Sequence, residues 1–288
     1  MNIQWYPGHM TKAKRSMEES LKLIDMIIEL VDARLPMSSR NPDIDRLGKN
    51  KYRMIILNKY DLADERMNAV WEKYFEEQGY FVLKLDSRSS NGMKTVQNTI
   101  LKACQEKLER DKRRGIMNRP IRAMVAGIPN VGKSTFINSL VRKSTAKTGN
   151  KPGVTRGNQW IRLNKSIELL DTPGILWPKF DDEQVGIRLA LVGSINDEVL
   201  NLQELACEGI RYMKERYPEQ LYARYEGIEE LSDAFAILNQ IAVARNLLRK
   251  GGEPDADKAS RVFLEDLRSG RLGRITLEAP KAQESAGA

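Results

Sequence analysis

At 288 residues the chain suits one large domain or two modest ones, either able to bury a real core. A formal charge of +8 and a pI near 9.3 point toward a polyanionic partner, and no run of eighteen apolar residues exists to cross a membrane. Cys104 and Cys207 form neither a disulfide framework nor a metal pattern, and the first twenty residues lack the apolar core of a secretory leader, so a reducing cytoplasm is expected.

In chain order, strand-length apolar runs at 26–31, 53–57, 81–85, 121–126 and 167–170 alternate with helical periodicity at 64–78 and 93–113. That alternation predicts an α/β fold with a mostly parallel sheet. Each run ends in chemistry-bearing residues, where such sheets hold their ligands. After Pro178 the strands stop. Leu231, Ala234, Phe235, Leu238, Ile241 and Leu248 follow helix spacing, as do Ala259, Val262, Phe263 and Leu267 before a cap at Gly270. The expected division is an α/β domain over 1–178, a helical domain over 179–279 and a disordered tail over 280–288.

Asn58-Lys59-Tyr60-Asp61 follows the second run. A carboxylate at Asp61 can accept from both the ring N–H and the exocyclic amine of guanine, a donor pair that adenine lacks. Lys59 would lie along the base and Asn58 would tie the loop together. Asp86 and Ser87, with Arg88, follow the third run, placed to add backbone contacts to the base. Within 127–134, Gly127 and Gly132 allow successive N–H groups to turn inward around a phosphate, with Asn130, Val131 and Thr135 completing the loop and first helical turn. Lys133 would reach the β- and γ-phosphates and Ser134 would ligate Mg2+. Thr155, in the polar and basic stretch after that helix, is the candidate to complete Mg2+ coordination and act at the γ-phosphate. Asp171 would hold Mg2+ through water, and the N–H of Gly174 would meet the γ-phosphate. Together these residues specify GTP, with the guanine reader upstream of the phosphate loop, the reverse of the usual order.

This reversed set resembles the circularly permuted GTPases. Trp5-Tyr6-Pro7-Gly8-His9-Met10, with Asp32-Ala33-Arg34 and Pro36, resembles in particular the branch that matures the large ribosomal subunit in bacteria. The resemblance covers nearly the whole chain. It implies a permuted P-loop domain followed by a small helical one, and GTP hydrolysis coupled to a late step of large-subunit maturation and stimulated by the particle. The implied partners are the subunit precursor, its rRNA and ribosomal proteins, with a chain that is monomeric away from the ribosome.

Switch GTPases place a water-orienting glutamine after the last glycine of Asp-x-x-Gly, but Ile175 stands there. In the unpermuted order the switch helix precedes the strand at 26–31, so the residues before Asp25 should take its place. His9, the sole histidine, lies in that segment. It either orients the hydrolytic water or caps and packs the first helix; the resemblance favours the first. Asn130 either coordinates a K+ ion beside the phosphates or only hydrogen-bonds its loop. Two basic groups, Lys107, Arg110, Lys112, Arg113, Arg114, Arg119 and Arg122, and Arg245, Arg249, Lys250, Arg261, Arg268, Arg271 and Arg274, are solvated faces or RNA contacts. RNA is favoured, with the later group facing it. Core packing is favoured over base stacking for Tyr212, Tyr217, Tyr222 and Tyr225. Two other readings stand: a nucleotide-gated rRNA-binding module with negligible hydrolysis, and a permuted GTPase of the small subunit.

Overall fold

The computed structural model describes residues 3, 5–89, 91–116, 119–141, 158–180, 182–228 and 233–280, with His9 described for its backbone alone. Thr155 and the tail from 281 lie outside the described residues. The chain forms two compact units. One spans Tyr6–Pro178 and regains the chain at Glu278; the other spans Lys179–Leu277 together with Met1–Trp5.

In the first unit the described residues form one six-stranded sheet. Its strands are β1 (Met26–Asp32), β2 (Tyr52–Asn58), β3 (Phe81–Leu85), β4 (Ile121–Gly127), β5 (Gln159–Arg162) and β6 (Ile167–Asp171), in the order β3-β2-β1-β4-β6-β5. All pairs are parallel except β5 with β6. The central strands are apolar without alternation because helices cover both faces, and every residue of β1 is buried. One of these is Glu29, which burial pushes toward the neutral form while Arg40 and Arg53 pull it back.

Helix α1 (Gly8–Ser20) buries Met10 and Met17 and is fixed at three points. Lys14 pairs with Asp43 at 2.5 Å, and the amide of Asn158 donates to the Ser16 carbonyl at 3.2 Å and to Ser20 Oγ at 3.0 Å. Asp43 lies on α2 (Pro42–Leu47), a short helix capped by Asn41. Helix α3 (Glu65–Glu77) starts where Asp64 accepts from the amides of Arg66 and Met67, and Trp71 and Phe75 pack with Ile55, Leu57 and Val82. The helical run predicted at 93–113 is interrupted at Cys104, giving α4 (Met93–Ala103) and α5 (Gln105–Arg113). Helix α6 (Lys133–Val141) follows β4. At its far end this unit takes in Glu278, whose carboxylate accepts from the backbone of Met37 and Ser38 at 2.5 and 2.9 Å and from the Ser38 hydroxyl.

The second unit contains α7 (Glu183–Leu191), α8 (Leu202–Arg216), α9 (Pro218–Arg224), α10 (Ala234–Ala244) and α11 (Ala256–Ser269). Gly209 brings α8 against Phe263, since a Cβ there would lie 2.7 Å from the ring. Gly270 caps α11 at φ +80°, the conformation predicted from sequence. Helix spacing fails at Leu248: α10 ends at Ala244, and Leu248 makes an isolated antiparallel bridge with Pro254. Tyr225 is buried, and the hydroxyls of Tyr212 and Tyr217 donate to the Thr276 carbonyl, so these three serve packing and tethering.

Candidate nucleotide site

The C-terminal ends of β1, β2 and β4 converge, and the predicted loops meet there. Gly127 ends β4 at φ +154°, where a Cβ would lie 2.5 Å from the Leu30 carbonyl of β1. Asn130 at φ +59° and Gly132 at φ +102° continue the turn into α6. The Gly132 position has no room for a side chain, because its Cβ would sit 2.5 Å from the amide nitrogen of Asn58.

Asn58 is the crossing point. It is buried at the end of β2, and its amide donates to the Val131 carbonyl at 2.7 Å. Its side-chain oxygen accepts from the Ser87 N–H at 3.0 Å and hydroxyl at 2.8 Å. Lys59 adds a second tie. It adopts the left-handed conformation, and its ammonium donates to Asp32 at 2.8 Å and to the Asn130 carbonyl at 2.9 Å. Asp32, part of the Asp-Ala-Arg motif, is a buried anchor gripped by Arg34 through Nε at 2.9 Å and through its terminal nitrogen at 2.8 Å. Burial alone would raise the Asp32 pKa, but the charges and hydrogen bonds of Arg34 and Lys59 outweigh it and hold the carboxyl well below the usual range.

Next to this tie, Asp61 follows Tyr60 in a single 3-10 turn. One Asp61 oxygen pairs with Arg88 at 2.5 Å, and the other is buried with no protein partner, as an acceptor for a ligand's donor would be. In the loop after β3, which carries the expected base contacts Asp86 and Ser87, several polar groups are engaged within the protein. The Ser87 N–H is bound to Asn58, its carbonyl accepts from Ser139 at 2.6 Å, and the Arg88 N–H is bound to Asp86. Ser87 thus locks the loops to each other.

On the phosphate side, Lys133 is buried and donates to the carbonyls of Gly127 and Ile128 at 2.9 and 3.0 Å. Burial pulls its pKa down to about 8, against the opposing pull of Asp171. Burial also pushes Asp171 up to about 6, with Lys133 acting the other way. One Asp171 oxygen is buried without a hydrogen-bond partner. A half-compensated lysine and an orphaned carboxylate oxygen fit a polyphosphate carrying Mg2+, and Ser134 and Asp171 are the described residues that would hold the ion. Bound there, Mg2+ neutralises charge on the phosphates. Val131 and Thr135 flank this loop at its base and on the first turn of α6. Gly174 is equally constrained, since a Cβ would lie 2.8 Å from Pro129 and 3.0 Å from the lysine ammonium. Ile175 is buried, its carbonyl accepting from Asn41 at 3.3 Å, and its apolar side chain offers no hydrogen bond to a water at the phosphates. The backbone of His9 lies in the first turn of α1; its side chain is outside the described residues.

The two basic groups fare differently. In the C-terminal group Arg268 is bound to Asp197, Arg271 to Glu265 and Asp266, and Arg249 to Asp257, while Arg245 lies over the Tyr225 ring. Much of the charge expected to face RNA is spent inside the helical unit. On α5 and after it, Arg110, Lys112, Arg113, Arg114 and Arg119 are exposed and make no ion pair with any described residue, while Lys107 is buried against Asp111.

A mostly parallel sheet with a phosphate loop after β4, a guanine-reader motif after β2 and an Asp-x-x-Gly at the end of β6 defines a circularly permuted P-loop GTPase. A family model described as 50S ribosome-binding GTPase matches residues 122–239. Ribosome biogenesis GTPase A of Bacillus cereus is 49% identical over 281 residues, covering 98% of this chain and 95% of the relative. The protein of the same name from Thermotoga maritima is 35% identical over 279 residues, covering 97% and 95%. Among solved structures, GNP-bound YlqF from T. maritima superposes with a TM-score of 0.66 at 32% identity, covering 94% of this chain and 99% of that one. The chain belongs to the ribosome biogenesis GTPase A family.

Two outcomes are expected. Asp61→Asn replaces an acceptor by a donor, so guanine nucleotides should lose about a hundredfold or more in affinity. Xanthine nucleotides, which carry an oxygen in place of the amine, should gain; titration with labelled GDP and XDP checks this. Asp32→Asn leaves Arg34 buried without its counter-charge and should cost about 3–5 kcal/mol at pH 7. Because the folded pKa of Asp32 lies below its ordinary value, that stabilisation is complete above the ordinary value and fades as pH falls. The difference between wild-type and variant urea midpoints should therefore hold at pH 5 and narrow only below about pH 4.

Proposed function

We propose that this GTPase binds the precursor of the large ribosomal subunit and hydrolyses GTP at a late maturation step, with hydrolysis stimulated by the particle. The observation that carries this reading is the match over nearly the whole chain to proteins named Ribosome biogenesis GTPase A, alongside a partial match to the 50S ribosome-binding model. On this reading the protein works in the cytoplasm and is monomeric away from the ribosome. Co-sedimentation with separated subunits tests it directly: association with large-subunit precursors in the GTP state is expected, and binding to the small subunit alone would overturn the assignment.

The chemistry follows from the residues at the site. Asp61 reads guanine, and Lys133 with the N–H groups of the Gly127 loop and Gly174 holds the phosphates. Ser134, and Asp171 through water, would hold Mg2+, with Thr155 completing its coordination when the γ-phosphate is in place. With Ile175 buried, the attacking water needs another orienting group. His9 supplies it once the particle fixes the N-terminal segment, and the side-chain oxygen of Asn130 would hold a K+ ion, which would offset charge on the phosphates.

His9→Ala should bind GTP normally and lose on the order of 10²- to 10⁴-fold in particle-stimulated single-turnover hydrolysis. Retention of the full stimulated rate would remove His9 from the mechanism, and a wild type that shows no stimulated turnover would favour a nucleotide-gated binding module. Turnover at equal ionic strength should be faster in K+ than in Na+, and equal rates would exclude a specific K+ site at Asn130.

A further inference from the structure

The nucleotide loops follow the C-terminal ends of the parallel strands. The opposite end of the same sheet carries a second set of residues that GTP chemistry does not use. Strand β5 is the sheet edge, and Trp160 and Arg162 share one of its faces because side chains alternate along a strand. In register with Arg162 lies Glu168 of β6, and in register with Glu168 lies Arg122 of β4. Arg122 reaches Glu168 at 3.2 Å and sets its guanidinium 5.2 Å from the centre of the Trp160 ring. Trp160 remains 43% exposed. Leu23, in the turn after α1 and 49% exposed, completes the wall of a cavity of about 340 Å3.

The surroundings are cationic. The Ile121 N–H bonds to the Ser166 carbonyl at 2.8 Å, bringing exposed Arg119 beside the β5–β6 turn with its exposed Lys165. Glu168 stands between two arginines, and beyond Arg122 the Asp25 carboxylate accepts from the Arg122 N–H at 3.0 Å. An aromatic ring backed by a guanidinium and rimmed by cations matches a nucleobase with flanking phosphates. A docked acidic peptide would use the charge but leave the ring unused, and a membrane would need a broader apolar face.

We propose that this edge of the sheet is an RNA seat in which Trp160 stacks an unpaired base and Arg119, Arg162 and Lys165 contact its phosphates. The seat adjoins the C-terminal end of α1, which Asn158, the residue before β5, holds through Ser16 and Ser20. Helix α1 carries His9 in its first turn, about 17 Å away at 1.5 Å per residue. RNA on Trp160 and Leu23 therefore braces the helix that bears the proposed water-orienting residue. This inference rests on the ribosomal reading above and names the surface through which rRNA would act.

The test uses the full chain, a single-stranded 12-nucleotide RNA, and purified large-subunit precursors. Trp160→Ala should weaken oligonucleotide binding roughly 5- to 150-fold, the effect of losing one stacked base, while Trp160→Phe retains most of it. Charge reversal in Arg119→Glu with Arg162→Glu should also flatten the salt dependence of binding. Both should lower particle-stimulated hydrolysis while leaving GDP affinity and unstimulated turnover unchanged. The seat is overturned if Trp160→Ala binds the oligonucleotide as wild type does. It is equally overturned if wild type binds particles but no single-stranded RNA, or if the variant loses particles while keeping RNA. In those cases the ribosomal reading survives; a wild type that binds neither particles nor RNA would defeat that reading as well.

Discussion

The site depends on a crossing of two adjacent side chains, Asn58 and Lys59, between loops that are distant in the chain. Asn58 holds the Val131 carbonyl of the phosphate loop and Ser87 of the loop after β3. Lys59 holds the Asn130 carbonyl and the buried Asp32. Because the guanine reader precedes the phosphate loop in sequence, no short connection keeps the two in register. The parallel pairing of β1 with both β2 and β4 brings their ends together, and these hydrogen bonds fix the remaining freedom. The glycine at 132 is part of the same constraint, since any side chain there would strike the Asn58 amide.

A second consequence is electrostatic. Lys133 and Asp171 are both buried, and burial drives each toward its neutral form. Neither is fully satisfied by the other, and an Asp171 oxygen has no hydrogen-bond partner. A phosphate chain with its metal ion would supply both missing partners at once. The site is thus organised for a polyanion at a cost already met by folding, which is how preorganised charge favours ligand over water.

The placement of the candidate site was legible in the sequence because phosphate and guanine recognition need particular residue types at short spacings. Gly127, Gly132, Lys133, Asp61 and Asp171 stand together where the motifs implied, and the five apolar runs are strands. What escaped the sequence depends on which partners folding brings together. Nothing local marks Asp32 as the anchor for Lys59, or Glu278 as the acceptor for Met37 and Ser38. The arginines at 249, 268 and 271 look like a free basic face until folding brings Asp257, Asp197 and Asp266 beside them. Leu248 fits helix spacing, but α10 has already ended at Ala244, and a bridge to Pro254 takes over. Ser87 looked like a base contact because its loop is in the right place; its N–H and hydroxyl are consumed by Asn58.

Asn58 orders the phosphate loop through the Val131 carbonyl. The most direct test is calorimetric binding of GDP and of tripolyphosphate, which has no base, to wild type and to Asn58→Ala. If the cross-tie orders the loop, both ligands should weaken by about tenfold, the effect of losing the buried hydrogen bond to Val131. Unchanged tripolyphosphate binding with a loss confined to GDP would contradict it, reducing Asn58 to a part of the base pocket alone.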